Sequence, residues 1–168
     1  MVMEIGSRRI LHTNVTAHPT AEWTIQQFRQ CIPCEHAFTH LIHDRDAIFS
    51  AAVDATLRSF GITPLRTPVR SPKANAFCER LIGTMRRECL DWIIPLGEGH
   101  LRRFVAEWAM HYNRARPHMS LANGVPEPNE HVPAAPLPRR HHLPADALVV
   151  AMPILNGLSH EYRLDHAA

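Results

Sequence analysis

Lysine is all but absent from this chain. Of its 18 Lys and Arg residues only Lys73 is a lysine. Cationic chemistry therefore falls to arginine, whose planar fork grips phosphate through two parallel hydrogen bonds. Long apolar runs are missing too. No stretch reaches the roughly 18–20 residues a membrane-spanning helix needs, and the first residues hold no signal-peptide hydrophobic segment, so no membrane role is expected. The four cysteines come without a paired framework, which argues against a disulfide-stapled secreted fold and for a reducing, cytoplasmic setting. Net charge is only +2, and no internal repeat is found.

What is present fits one soluble globular domain with a tail: 168 residues, 45% hydrophobic and 20% charged. Many of the cations lie in or after the middle of the chain: Arg66, Arg70, Lys73, Arg80, Arg86, Arg87, Arg102, Arg103, Arg114 and Arg116. That distribution suits a nucleic-acid backbone. Taken alone, a solvated basic surface accounts for it equally well.

Residues 1–5 and 9–15 read as two short strands joined at Gly6-Ser7. Residues 21–30, carrying Trp23 and Phe28, read as an amphipathic helix. The apolar run 38–43 reads as a buried strand ending at Asp44. A short helix over 51–60 is closed by Gly61 as its C′ residue, and 62–66 is a strand kept short by Pro64. After a loop over 67–74, Ser71 and Pro72 suit the N-cap and N1 positions of the next helix. In that helix, residues 74–90, Phe77, Cys78, Leu81, Ile82, Met85 and Cys89 recur at helical spacing as its core side. Asn75, Glu79, Gly83 and Arg86 share another face. Leu101, Phe104, Val105, Trp108 and Tyr112 form the core stripe of a helix over 97–112. From Val125 the prolines Pro126, Pro128, Pro133, Pro136, Pro138 and Pro144 give an extended linker, and 147–152 with the stretch around Tyr162 pairs as a small β element.

Two carboxylates stand out. Asp44 at a strand end and Glu79 on a following helix suit one hard cation, since Mg2+ takes a few oxygen ligands and keeps waters or phosphate in its other positions. Asp46 reads instead as a turn residue. Cys31-Ile32-Pro33-Cys34, with His36, His40 and His43, is a weaker candidate. Zinc or thiol redox chemistry are its sharp readings, and two incidental thiols in a loop its bland one.

Three motifs occur in order: Asp44-Arg45-Asp46-Ala47-Ile48-Phe49, then Thr67-Pro68-Val69-Arg70-Ser71-Pro72-Lys73-Ala74-Asn75-Ala76-Phe77-Cys78-Glu79-Arg80, then Tyr112-Asn113-Arg114-Ala115-Arg116-Pro117-His118-Met119-Ser120-Leu121. Over roughly residues 1–128 the chain resembles the integrase core of bacterial insertion-sequence transposases, Asp-Asp-Glu enzymes with a ribonuclease-H-like fold. The resemblance implies an α/β core and metal-dependent phosphodiester cleavage and strand transfer during DNA integration. Asp44 matches the second catalytic Asp and Glu79 the catalytic Glu, both holding Mg2+ or Mn2+. Lys73, Asn75, Arg80, Arg86 and Arg87 are the expected DNA contacts, while Arg116 and His118 shape the closing turn.

The family uses a third carboxylate, on a first strand. Glu4, Glu22 and Glu35, the acidic residues before Asp44, stand in no matching context, so that strand is expected to be absent. The expected divisions are a partial integrase catalytic core over 1–124, a Pro-rich linker over 125–145 and a small β element or tail over 146–168. DNA is the expected partner, with a second copy or an upstream transposase segment completing the site. The alternatives are an inactive remnant that binds DNA through its arginines and a zinc-binding interaction module.

Overall fold

The computed structural model describes residues 1–68, 76–129 and 145–166. It is a mixed α/β structure that divides into two compact units. One is Asn14–Thr84; the other joins Met1–Thr13 to Met85–Ala168.

The Asn14–Thr84 unit is built around a strand–helix–strand segment. Helix α1 (Ala21–Cys31) starts at Thr20, whose hydroxyl accepts the Trp23 N–H at 3.1 Å. That satisfies one of the four donors a helix start leaves open. Strand β3 (His40–His43), helix α2 (Ala51–Ser59) and strand β4 (Thr63–Arg66) follow. β3 and β4 pair in parallel, His40 opposite Thr63 and His43 opposite Arg66. Such a crossover needs a long connection, and α2 supplies it.

The end of α2 was legible in the sequence, because Gly61 adopts φ +80°. A left-handed residue there lets Gly61 N–H donate to Arg58 O at 2.9 Å and Ile62 N–H to Leu57 O at 3.0 Å. This is a Schellman closure, with Leu57 and Ile62 both buried. Pro64 sits in β4, whose one described partner is β3, and an edge strand tolerates a missing N–H donor.

In the other unit, strands β1 (Val2–Met3) and β2 (Ile10–His12) pair antiparallel with an irregular register. Helix α4 (Glu98–Arg114) buries Val105, Trp108, Ala109, Tyr112 and Asn113, close to the expected stripe. Asn113 clasps the backbone of Ile10: its Oδ1 accepts the Ile10 N–H and its Nδ2 donates to Ile10 O, both at 2.9 Å. Strands β5 (Ala147–Ile154) and β6 (Ser159–His166) pair antiparallel with Ala151 opposite Tyr162. Glu107 of α4 accepts the Leu155 N–H, and His111 pairs with Glu161 at 2.9 Å.

Helix α3 (Ala76–Glu88) belongs to both units, the division falling after Thr84. Its buried stripe is Leu81, Thr84, Met85 and, just beyond it, Cys89. This corrects part of the sequence pattern. Phe77 and Ile82, expected in the core, are 41% and 46% exposed. Ile82 lies about 100° around the helix from Leu81, off a stripe that follows the i, i+3, i+4 and i+8 positions. Among the described residues no helix is long and apolar enough to cross a membrane. The expected cap at Ser71-Pro72 falls outside the described residues, as does most of the Pro-rich stretch.

Candidate active site

Asp44 follows the last residue of β3 and is exposed. Its surroundings are a chain of short-range hydrogen bonds. Asp44 Oδ1 accepts the Asp46 N–H at 3.0 Å, and Asp46 Oδ1 accepts the Ile48 N–H at 3.0 Å. The Asp46 carbonyl accepts the Phe49 N–H at 3.0 Å. Two successive Asx turns of this kind fix a short polar segment that neither helix nor strand organises. Asp46 is thus a turn residue, as the sequence indicated. Arg45 Nε donates to Thr67 O at 3.0 Å, tying the turn to the end of β4.

Behind the turn stands a group that sequence reasoning missed. The His43 side chain is buried and stacks on Phe49, with ring centroids 4.6 Å apart. Its Nδ1 lies 2.7 Å from Asp44 O, and its Nε2 lies 3.1 Å from Asp54 Oδ1. The other Asp54 oxygen accepts from Arg66 Nη2 at 2.7 Å. A carbonyl oxygen only accepts, so Nδ1 carries the proton it shares with Asp44. One signal was available: Asp54 stands between Val53 and Leu57 on the buried side of α2, where an acid requires a partner.

Glu79 is exposed in the first turn of α3, where a carboxylate also suits the positive end of the helix dipole. Its neighbour Cys78 is half-buried. The Cys78 thiol is pushed above its ordinary value, first by burial and then by the carboxylates of Asp44 and Glu79. As a donor set, two exposed carboxylates offer the hard oxygens that Mg2+ or Mn2+ accepts. Among the described residues no three His, Cys, Asp or Glu side chains gather to hold a metal ion.

Of the expected DNA contacts, Arg80, Arg86 and Arg87 lie exposed on α3, Arg86 within 3.7 Å of Asp91. Lys73 and Asn75 fall outside the described residues. Among the described residues, five other arginines hold carboxylates of the chain itself: Arg66 with Asp54, Arg102 with Glu98, Arg114 with Glu127, Arg116 with Glu88 and Arg163 with Asp165. Arg116 grips Glu88 through Nε and Nη2 at 2.7–3.0 Å. His118 Nε2 meets Tyr112 O at 3.3 Å. Both shape the closing turn. In the weaker thiol–histidine candidate, His36 engages Phe60 O, His40 engages Thr39, and His43 is taken up by Asp54. Burial raises the Cys31 thiol, and Cys34 is exposed.

The described chain is therefore a mixed α/β protein that presents an exposed carboxylate at a strand end and another in the first turn of a helix. Residues 60–126 match the integrase core domain family, so the resemblance read from the motifs is borne out over that stretch. Glu79 and the α3 arginines fall inside it; Asp44 precedes it. The chain is 36% identical over 79 residues to a protein of insertion element IS476 from Xanthomonas euvesicatoria, covering 46% of this chain and 22% of that protein. It is 35% identical over 74 residues to a protein of insertion element IS407 from Burkholderia multivorans, covering 43% and 26%. It is 34% identical over 76 residues to transposase InsD of an IS2 insertion element from Escherichia coli, covering 45% and 24%. The matched stretch thus spans about a quarter of each relative's own length.

Proposed function

We propose that this chain is part of a metal-dependent DNA strand-transfer core that serves transposition of an insertion element. Asp44 and Glu79 hold a Mg2+ or Mn2+ ion, and Arg80, Arg86 and Arg87, with Lys73 and Asn75, bind DNA phosphates. The observation that carries this reading is the match of residues 60–126, Glu79 and the α3 arginines among them, to the integrase core domain family.

Asp44 and Glu79 would hold the ion, which would supply charge stabilisation to the oxygens of a phosphodiester displacement. The chain's own part is to supply two anionic oxygen groups. Asp44 is fixed by its turn, and Glu79 is set on a helix. The exposed guanidinium groups of α3 hold the backbone to be cut. The same reading carries a ribonuclease-H-like arrangement over 1–124, a Pro-rich linker over 125–145 and a C-terminal β element over 146–168, acting in the cytoplasm. A third carboxylate, from a further transposase segment or a second copy, completes the set.

Mn2+ titration followed by the resonance of the free ion tests the site. The chain should bind Mn2+, and Asp44→Asn and Glu79→Gln should each abolish the binding. Undiminished binding by either variant sinks the metal assignment. With two carboxylates, the chain alone should cut supercoiled plasmid weakly at best. Binding of ion and DNA without cutting is then the behaviour of a remnant.

DNA affinity forms a second arm. Replacing Arg80, Arg86 and Arg87 together by Ala should flatten the dependence of log affinity on log salt by up to about 2.7, three phosphate contacts at about 0.9 each. An unchanged slope removes these residues from the interface.

A further inference from the structure

We propose that His43 is a positioning residue for Asp44: it holds the main chain of the proposed ligand through Nδ1, while Asp54, itself held by Arg66, holds the ring. The inference rests on the reading of Asp44 as a metal-holding group. It goes beyond that reading by assigning work to a buried histidine outside the carboxylate pair.

Three observations carry it. First, the bond from Nδ1 to Asp44 O, at 2.7 Å, is the shortest that His43 makes, and it reaches the residue whose carboxylate matters. Second, the ring has little freedom. It is 4% exposed, stacks on Phe49, and is held at Nε2 by Asp54 Oδ1 at 3.1 Å. Asp54 is in turn held by Arg66 at 2.7 Å. Third, β4 closes the frame. Arg66 lies opposite His43 in register, and the next residue, Thr67, donates its N–H to His43 O at 3.0 Å. The Arg66 guanidinium, the Asp54 carboxylate and the His43 imidazole thus form a line that ends on the Asp44 peptide.

A carboxylate side chain turns about its own Cα, so fixing the Asp44 carbonyl narrows where its oxygens can go. The Asx turn through Asp44 Oδ1 constrains the side chain from the other end. Groups that orient a metal's ligands in this way commonly change metal affinity about 10–100-fold when removed.

The two ring nitrogens can be separated by substitution. His43→Asn puts an amide N–H near the place of Nδ1 and gives up the contact with Asp54. His43→Gln does the reverse, reaching Asp54 and giving up Asp44. If His43 positions Asp44, Asn should keep Mn2+ affinity within about threefold of the unsubstituted chain, and Gln should weaken it about tenfold or more. Urea midpoints for the two variants serve as the stability control. Hydrogen exchange at the Asp46 N–H, which Asp44 Oδ1 accepts at 3.0 Å, reports on Asp44 without any metal. Loss of the Nδ1 bond frees the Asp44 peptide, so Gln should speed that exchange and Asn should not.

Equal loss of affinity and equal change of exchange in both variants would overturn the proposal, as would no change in either. Loss of folding in both, seen by circular dichroism, would overturn it as well, since the role would then be structural. Failure of the metal reading looks different: the unsubstituted chain binds no Mn2+, while the contrast in exchange at the Asp46 N–H still decides whether His43 holds Asp44.

Discussion

Two buried histidines, one in each unit, meet opposite company. His43 lies in an ionic line, between the Asp44 carbonyl and an Asp54 carboxylate that also holds Arg66. His118 lies in an aromatic stack. Its ring meets Tyr112 edge-on at 4.4 Å, Tyr112 tilts against Trp108 at 5.1 Å, and Arg116 stands over the Tyr112 ring at 5.8 Å. Its hydrogen-bond partner is a carbonyl, Tyr112 O. Burial pushes the His118 imidazole below its ordinary value. The carbonyl bond opposes that shift, and the nearby Arg116 adds to it. One residue type thus serves in one place as a link between a backbone carbonyl and the Asp54–Arg66 ion pair, and in the other as a packed ring that prefers neutrality.

The comparison can be broken first on its packing side. Tyr112→Ala removes the middle ring of the stack and the platform under Arg116, at a cost of about 3–5 kcal/mol, as for other buried aromatics. Asp54→Ala should cost less, about 2 kcal/mol. It strands the buried His43, but Arg66 is 45% exposed and water screens its share. Urea unfolding of both variants checks the order; a larger loss for Asp54→Ala would mean that the ionic line, not the stack, dominates.

Acid sharpens the comparison with a smaller effect. A histidine whose folded value is lowered binds its proton less readily folded than unfolded. No penalty arises above the ordinary value of 6.5. As pH falls below it, the unfolded chain gains a proton that the folded chain resists, and stability drops until the folded value is passed. Melting temperatures measured from pH 7.5 down to 5 should therefore fall, and His118→Gln should lessen the slope. An identical slope in the variant would show that other groups carry the acid sensitivity.

The local elements were legible because their causes are local. Gly61 closes α2 since only a residue at ease with positive φ fits there, and Thr20 opens α1 since its hydroxyl meets the Trp23 N–H. Periodicity located α4, and the apolar run 147–152 with the stretch around Tyr162 located β5 and β6. Periodicity also misjudged Phe77 and Ile82, because an apolar residue at helical spacing is buried only if another element covers it.

The sequence by itself determined the order of strands and helices, the motifs that mark the integrase core domain, and Asp44 and Glu79 as candidate carboxylates, because each depends on residue type and near-neighbour spacing. Tertiary structure alone decided which charges are spent inside the chain and which side chains hold distant backbone. Asn113 clasps Ile10 from 103 positions away, Arg116 takes Glu88 from 28 away, and His43 meets Asp54 across a strand and a helix. Such pairs form only when folding brings their elements within about 3 Å, the reach of a hydrogen bond.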